Sequence, residues 1–420
     1  MEKIIVNGGR TLNGELVVPT AKNSLLPILA STILVDGVVK IKGYECFSDC
    51  ESMLEILRRL GAKVRLRGKT LYIDSSHINA SCVESDVALK LRASIYTMGA
   101  IMYRMKIAKI SYPGGCFIGA RPIDQHLKGL RALGGRIIER HGYLYCKGEN
   151  LTNGEVHLDI PSVGATYNII MASVCLKGTT VIYNPAKEPE IVDLQGFLNA
   201  CGAKISGAGT DRIVIKGVGK LLHSCEYKPI GDRIIAGTYL IAVACCTGKV
   251  KLKNINPTHL ESLLYRLEEA GCEVYRDKQS IILVANRRMD ALSKIDTQPY
   301  PGFPTDLQAP IMVLQAISNG HCVLTENLFE SRYKHITELT KMGADIMVAN
   351  KSAIIKGVDL LYGADVYASD LRAGASLIIA GLVASGYTTI HNIEHIDRGY
   401  IRIEEAFQRL GADIIRKNFD

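Results

Sequence analysis

The stretch "RRLGAKVRL", Arg58–Leu66, decides how this chain folds, because versions of it recur along the whole length. They read "RALGGRII" at Arg131–Ile138, "LNACGAKIS" at Leu198–Ser206, "LEEAGCEVY" at Leu267–Tyr275, "TKMGADIMV" at Thr340–Val348 and "QRLGADII" at Gln408–Ile415. A spacing of roughly 70 residues marks duplication of a whole structural unit, since solenoid repeats are shorter. In each copy an amphipathic segment, such as "ESMLEILRRL" or "LESLLYRLEEA", runs into the glycine. That pattern predicts a helix stopped by a residue free to leave helical geometry. Beyond the glycine, "AKVRLRGKTLYID" alternates around a turn, which predicts a β-hairpin.

Working outward, each hairpin leads to a further strand and a second, far more apolar helix, as in "SVGATYNIIMASVCL" and "AGASLIIAGLVA". A helix apolar on nearly every side must be buried, so six such helices should form the cores. A short strand after a turn glycine closes the unit: "GTTVIYN", "GKVKLKN", "GYTTIHN". The fold class is therefore α/β (α+β), with six βαβαββ-type repeats, three in each of two domains. The last copy stops after "ADIIRKNFD", before its hairpin partner, and "KIIVNGG" at Lys3–Gly9 has the cadence of the missing strand. Lys3–Gly8 should complete the C-terminal domain. The expected domains are 1–21 with 231–420, and 22–230, with a hinge at the two crossings and the active site in a cleft.

At 420 residues the chain is long enough for two cores, and 47% hydrophobic with 22% charged residues is a globular balance. The formal charge of +8 suits small phosphorylated or carboxylated ligands. There is no long Lys/Arg block and no Trp, so a platform for stacking bases is lacking, and no nucleic acid is expected as a partner. The twelve cysteines are scattered without a CxxC pair, which fits free thiols in a reducing cytoplasm. No metal-ligand spacing is present. The N-terminal "MEKIIVNGGR" has no signal-like apolar run, and the uncharged stretch near Ala373–Ile393 reads as a buried helix and strand, so no membrane is expected.

The unusual polar residues gather where a strand meets a buried helix. The six junctions read "VVPTAKNSLL", "ALKLRASIY", "LDIPSVGAT", "KPIGDRIIAG", "PGFPTDLQA" and "ASDLRAGAS". They put Lys22, Asn23, Arg92, Ser162, Gly164, Asp232, Arg233, Asp306, Asp370 and Arg372 at or near helix starts. Unpaired N–H groups there favour phosphate or carboxylate. Asp232 and Ser162 also read as ordinary caps. Lys22, Arg92 and Arg372 oppose the helix dipole by ~0.3–1 kcal/mol each, which suggests an anion among them, a solvated side chain being the alternative. In "FPTDLQAP" Thr305 could cap, leaving the Asp306 carboxylate spare. Arg398, in "HIDRGYIRIEEA", and the loop "TENLFESR" (Thr325–Arg332) follow closing strands, and a surface salt bridge is the plain reading of Arg398.

One more loop stands out. "PGGCFIGARPID", Pro113–Asp124, sets Cys116 among glycines with Arg121 five residues on. Glycine density excludes helix and regular strand, and a nearby guanidinium makes a loop thiol more reactive.

These motifs, with "AKN", "EPEIVD", "GTDRI", "FPTD", "DLRA" and "HIDRGY", resemble the enolpyruvyl transferases over essentially the whole chain. The cysteine loop places the likeness on the nucleotide-sugar branch, because the related shikimate-pathway enzymes lack it. The resemblance implies a pair of inside-out α/β barrels and enolpyruvyl transfer from phosphoenolpyruvate to the 3′-hydroxyl of UDP-N-acetylglucosamine in peptidoglycan synthesis. It implies no metal or organic cofactor, and fosfomycin-type inhibitors aimed at the loop thiol. Cys116 would protonate phosphoenolpyruvate or form an adduct with it, and Asp306 would take the sugar hydroxyl's proton. Lys22, Arg121 and Arg398 would hold phosphate, with Arg92 and Arg372 beside them and Asn23 orienting the reactants. The nucleotide sugar would meet Asn23, Arg92, Arg121, Pro122, Ile123, Asp124, Gln125, Ser162, Val163, Gly164, Asp306 and Leu328. Two departures from the family pattern are Ile160-Pro161, where some members carry lysine, and Thr20, where some carry glycine and where stiffening of the hinge follows. The competing readings are a shikimate-pathway transferase on the same scaffold and a non-catalytic six-repeat clamp around nucleic acid.

Overall fold

The structure, a computed structural model, describes residues 2–114, 119 and 122–418. The chain forms two compact units, one containing residues 2–19 with 231–418 and the other 20–114 with 122–230. Among the described residues each unit holds three four-stranded sheets of one design. A short edge strand runs parallel to the closing strand, which pairs antiparallel with one hairpin strand and through it with the other. Thus Lys294–Asp296 lies beside His321–Thr325, then Ser352–Lys356, then Asp345–Ala349.

The sheet containing the N-terminus shows how the first unit is assembled. Glu2–Asn7 sits inside that sheet, antiparallel to Tyr387–His391 on one side and to Asp413–Asn418 on the other. Ile4 and Val6 face inward and are fully buried. Period-2 alternation places both on the same face.

Six apolar helices fill the centres: α1 (Lys22–Ser31), α2 (Thr97–Met105) and α3 (Val163–Ser173) in one unit, α4 (Arg233–Cys246), α5 (Gln308–Ile317) and α6 (Leu371–Val383) in the other. In each unit the helices pack on one another, and the strands alternate buried and exposed residues around them. Close approach is required in places. A Cβ on Gly99 of α2 would lie 2.2 Å from the Asn168 carbonyl oxygen of α3, so only glycine fits.

The recurrent glycine ends its helix the same way six times. Gly61, Gly134, Gly202, Gly271, Gly343 and Gly411 all have φ between +85° and +108°. In the first, Gly61 N–H donates to Arg58 O and Ala62 N–H to Leu57 O, and the other five repeat this paired bonding. This is the Schellman arrangement, which satisfies carbonyls left open at a helix end.

Among the described residues no helix is long and apolar enough to cross a membrane.

Candidate active site

Lys22 opens α1 without a side-chain cap or an acidic residue in the first turn. Its ammonium is buried and donates at 3.0 Å to Asp49 Oδ2, in the first turn of the Ser48–Arg59 helix. The carboxylate offsets a cation that the helix dipole disfavours, and the pair is held in a site shielded from water. Asn23 follows on α1, its carbonyl accepting from Tyr167 Oη of α3 at 3.5 Å. Thr20, at the departure noted above, donates to the Gly43 carbonyl at 2.7 Å. Arg92 begins a 3-10 turn, Arg92–Tyr96, that feeds α2, so its place is one short turn ahead of the α-helix proper.

The Ser162–Gly164 segment is positioned from several directions. Ser162 caps α3, its Oγ accepting from Ala165 N–H. Gly164 packs against His126, where an added Cβ would sit 2.7 Å from the ring. Asn168 of α3 accepts from Gly99 N–H at 2.8 Å and donates to Ile95 O at 2.9 Å, leaving one amide hydrogen for His126 Nδ1 at 2.8 Å. His126 therefore accepts at Nδ1 and carries its proton on Nε2, which faces Gly164. Gln125 is buried and bonds Asp124, Asp159 Oδ2 and Asp159 N–H. It ties the start of the Asp124–Ala132 helix to the strand end before Ile160, which is exposed. Ile123 is buried beside Pro122 at that helix start, and Val163 is half-buried.

In the other unit Asp232 caps α4, accepting from Ile234 and Ile235 N–H, and Asp370 caps α6, accepting from Arg372 and Ala373 N–H. Arg233 lies over the Tyr300 ring at 5.5 Å. Asp306 sits on a 3-10 turn, Thr305–Leu307, ahead of α5. The expectation that Thr305 caps and leaves this carboxylate spare is corrected here. Thr305 instead donates to Glu326 Oε2 at 2.8 Å, and both Asp306 oxygens are engaged: Oδ1 by Arg332 at 2.6 Å, Oδ2 by Arg372 at 3.0 Å. The reason is charge density, since two buried guanidiniums converge on one part-exposed carboxylate.

A wider network holds this group rigid. Arg372 also donates to Tyr400 Oη at 3.2 Å, and Tyr400 bonds Thr238 of α4 at 2.8 Å. Burial works against the Arg372 cation, but Asp306, Tyr400 and Asp232 together outweigh it and drive the guanidinium's pKa upward. Arg332 reaches Thr305 Oγ1 at 3.3 Å and lies 3.9 Å from Asp370. Glu326, buried, accepts from Thr297, Leu328 N–H and Phe329 N–H, fixing the loop that carries the half-exposed Leu328. His335 is buried beside Arg332 and Asp370; burial pushes its pKa down to about 4, with Arg332 adding to the fall and Asp370 opposing it. Arg398 ends a short helix, Glu394–Asp397, and is half-buried.

The family model described as EPSP synthase (3-phosphoshikimate 1-carboxyvinyltransferase) matches residues 6–407. Relatives named UDP-N-acetylglucosamine 1-carboxyvinyltransferase align over nearly the whole chain. One from Caldanaerobacter subterraneus subsp. tengcongensis is 50% identical over 99% of this chain and 100% of its own. Another, from Bacillus cereus, is 46% identical over 99% and 97%. A third, from Clostridium botulinum, is 44% identical over 99% and 100%. This chain belongs to the UDP-N-acetylglucosamine 1-carboxyvinyltransferases.

Solved enolpyruvyl transferases share the fold. NikO from Streptomyces tendae superposes with a TM-score of 0.89 at 23% identity, covering 99% of this chain and 98% of that one. EPSP synthase from Acinetobacter baumannii gives 0.78 at 19% identity over the full length of both chains. The two-domain inside-out α/β architecture implied by the family resemblance is thus borne out. Identities of 44–50% to enzymes named UDP-N-acetylglucosamine 1-carboxyvinyltransferase favour that branch over the shikimate-pathway reading and over a non-catalytic one.

For a member of the UDP-N-acetylglucosamine 1-carboxyvinyltransferases, the structure groups Lys22 with Asp49, Gly164 with His126, Gln125 with Asp159, and Asp306 with Arg372. Cys116 and Arg121 lie outside the described residues. Reading the sequence missed Asp49, His126, Asn168, Glu326, Arg332 and Tyr400. Arg332 was within reach, because it closes the "TENLFESR" loop that the repeat already singles out. Asp49 was not, because an acidic residue in a helix's first turn reads as ordinary dipole compensation.

Proposed function

We propose that the protein transfers the enolpyruvyl group of phosphoenolpyruvate to the 3′-hydroxyl of UDP-N-acetylglucosamine and releases phosphate, the first committed step of peptidoglycan synthesis. The observation that carries this reading is 44–50% identity, end to end, to enzymes named for that reaction. In it Cys116 delivers a proton to the methylene carbon and the cationic centre so formed is attacked by the sugar hydroxyl, or Cys116 forms a covalent adduct with phosphoenolpyruvate; loss of phosphate and of a proton from the methyl group then restores the enol double bond. Asp306 accepts the hydroxyl proton. Its hold by Arg332 and Arg372 supports a fixed carboxylate, which suits a group that must meet one hydroxyl. Lys22, Arg92, Arg121, Arg372 and Arg398 bind phosphate and carboxylate charge, and Asn23 orients the reactants. Pro122–Gln125, Ser162–Gly164 and Leu328 take the nucleotide sugar. The cytoplasm is the compartment that goes with these substrates.

The test is phosphate release, which should require both phosphoenolpyruvate and UDP-N-acetylglucosamine. Release that needs only one of them, or that accepts shikimate 3-phosphate equally well, overturns the reading. Fosfomycin should add once, at Cys116, by intact mass. Cys116→Asp should keep measurable turnover because a carboxylic acid also delivers a proton, and Cys116→Ala should lose it.

A further inference from the structure

Two thiols far from the loop cysteine in sequence lie closer together than any role above requires. Cys201 ends the Pro189–Ala200 helix and is fully buried, and Cys225, half-buried, sits between the short strands Leu222–His223 and Glu226–Tyr227. Their sulfurs are 2.7 Å apart, against about 2.05 Å in a formed disulfide.

The backbone around both is held by hydrogen bonds. Cys201 N–H donates into its own helix end, and its carbonyl accepts from His223 N–H at 3.0 Å. On the other side Lys40 N–H donates to Cys225 O at 2.9 Å, while the flanking strands pair with Val35–Asp36 and Lys40–Ile41. A helix end and a two-strand frame therefore hold the backbone on either side of the two sulfurs.

We propose that Cys201 and Cys225 form an oxidisable dithiol, a modification site that a peroxide or a low-molecular-weight disulfide converts to an intrachain disulfide. The two thiols divide the chemistry by exposure. Cys225, the accessible one, attacks first. With peroxide it becomes a sulfenic acid, one oxygen passing to sulfur and the other leaving as water. Cys201 then displaces the sulfenic oxygen as a second water, so two thiols lose two electrons and two protons in all. With a small disulfide, Cys225 forms the mixed disulfide and releases one thiol, and Cys201 releases the other.

Selectivity has a physical basis. The contact with Cys201 lowers the pKa of Cys225 against the effect of burial, and the same contact, with burial, raises that of Cys201. Burial and a neighbouring carboxylate act the other way at Cys46 and Cys82, whose thiols meet Glu51 and Glu84; Cys82 is pushed up to about 11. Among the described cysteines Cys225 is the one best prepared to attack.

The crosslink would fasten the segment leading to Ile230. That segment is already pinned by Tyr227 Oη on Asp193 at 2.7 Å, and the Ile230 carbonyl accepts from Ala21 N–H, next to Lys22.

The experiment is differential alkylation and peptide mapping of the native full chain, treated with glutathione disulfide or with hydrogen peroxide. The expected result is one crosslinked pair of peptides carrying residues 201 and 225, lighter by two hydrogens, reversed by dithiothreitol. It should be absent in Cys225→Ser and in Cys201→Ser. Persistence of both thiols in alkylatable form under oxidant, or a crosslink that forms only after denaturation, overturns the proposal. Because the readout is on the unaltered chain, it does not depend on how well either variant folds.

Discussion

Three side chains decide most of the behaviour expected at the level of the single residue. Lys22 is buried and donates to Asp49 at 3.0 Å. Asp49→Ala should leave that ammonium in a poorly hydrated site. Equilibrium denaturation should show a loss of about 3 kcal/mol, and the KM for phosphoenolpyruvate should rise at least about tenfold. An unchanged KM would remove Asp49 from the positioning of Lys22. Arg332 touches Asp306 at 2.6 Å, and Arg332→Gln should lower kcat about 100-fold with little change in KM for either substrate, since the carboxylate it steadies acts on the reacting hydroxyl. His335 predicts a pH effect. Its pKa is near 4 in the folded protein, pushed down chiefly by burial, and about 6.5 when unfolded. The unfolded chain thus binds the extra proton first, so the contribution of neutral His335 is whole above about pH 6.5 and is lost as pH falls towards 4. The loss should be on the order of 3 kcal/mol. His335→Leu should flatten the fall in urea midpoint over that window; a slope identical to the parent's would assign the acid sensitivity to other groups.

At the level of the element, the glycine that stops each amphipathic helix gives the sharpest comparison. Gly61 and Gly411 have φ of +108° and +97°, so alanine is strained at both by about 1–2 kcal/mol. They differ in surroundings. A Cβ on Gly61 would meet the His77 carbonyl oxygen at 2.6 Å, whereas on Gly411 the nearest atom is 3.8 Å away. Gly61→Ala should therefore cost clearly more than Gly411→Ala in thermal unfolding, and equal costs would mean that backbone conformation alone sets the penalty. These elements were legible in the sequence because helix, stop and hairpin are each specified within a dozen neighbouring residues. The 3-10 turns that carry Arg92 and Asp306 were not, since a regular apolar helix and one preceded by a tight turn show the same residue pattern there.

For the whole molecule, the interior position of Glu2–Asn7 has a direct consequence. Removing it strips hydrogen-bond partners from strands on both sides and exposes the face under Ile4 and Val6. A chain lacking residues 2–7 should lose cooperative unfolding of the unit containing Gly231–Asp420, seen as broadened amide resonances, while one that keeps native dispersion would show the strand to be dispensable. The sequence alone determined the six-fold repeat, the buried helices and the helix starts where charge collects, and it carried the resemblance to the enolpyruvyl transferases. All of these depend on local periodicity, on backbone conformations open only to glycine, or on runs of side chains that survive duplication. Tertiary structure alone decided who pairs with whom: Asp49 with Lys22, Arg332 and Arg372 on one carboxylate, Asn168 orienting His126, and Cys225 against Cys201. Those contacts join residues 24 to 66 positions apart in the chain. A pattern along the chain states where a charge or a thiol resides, but the energy of burying it depends on which distant group the packed helices and sheets bring against it.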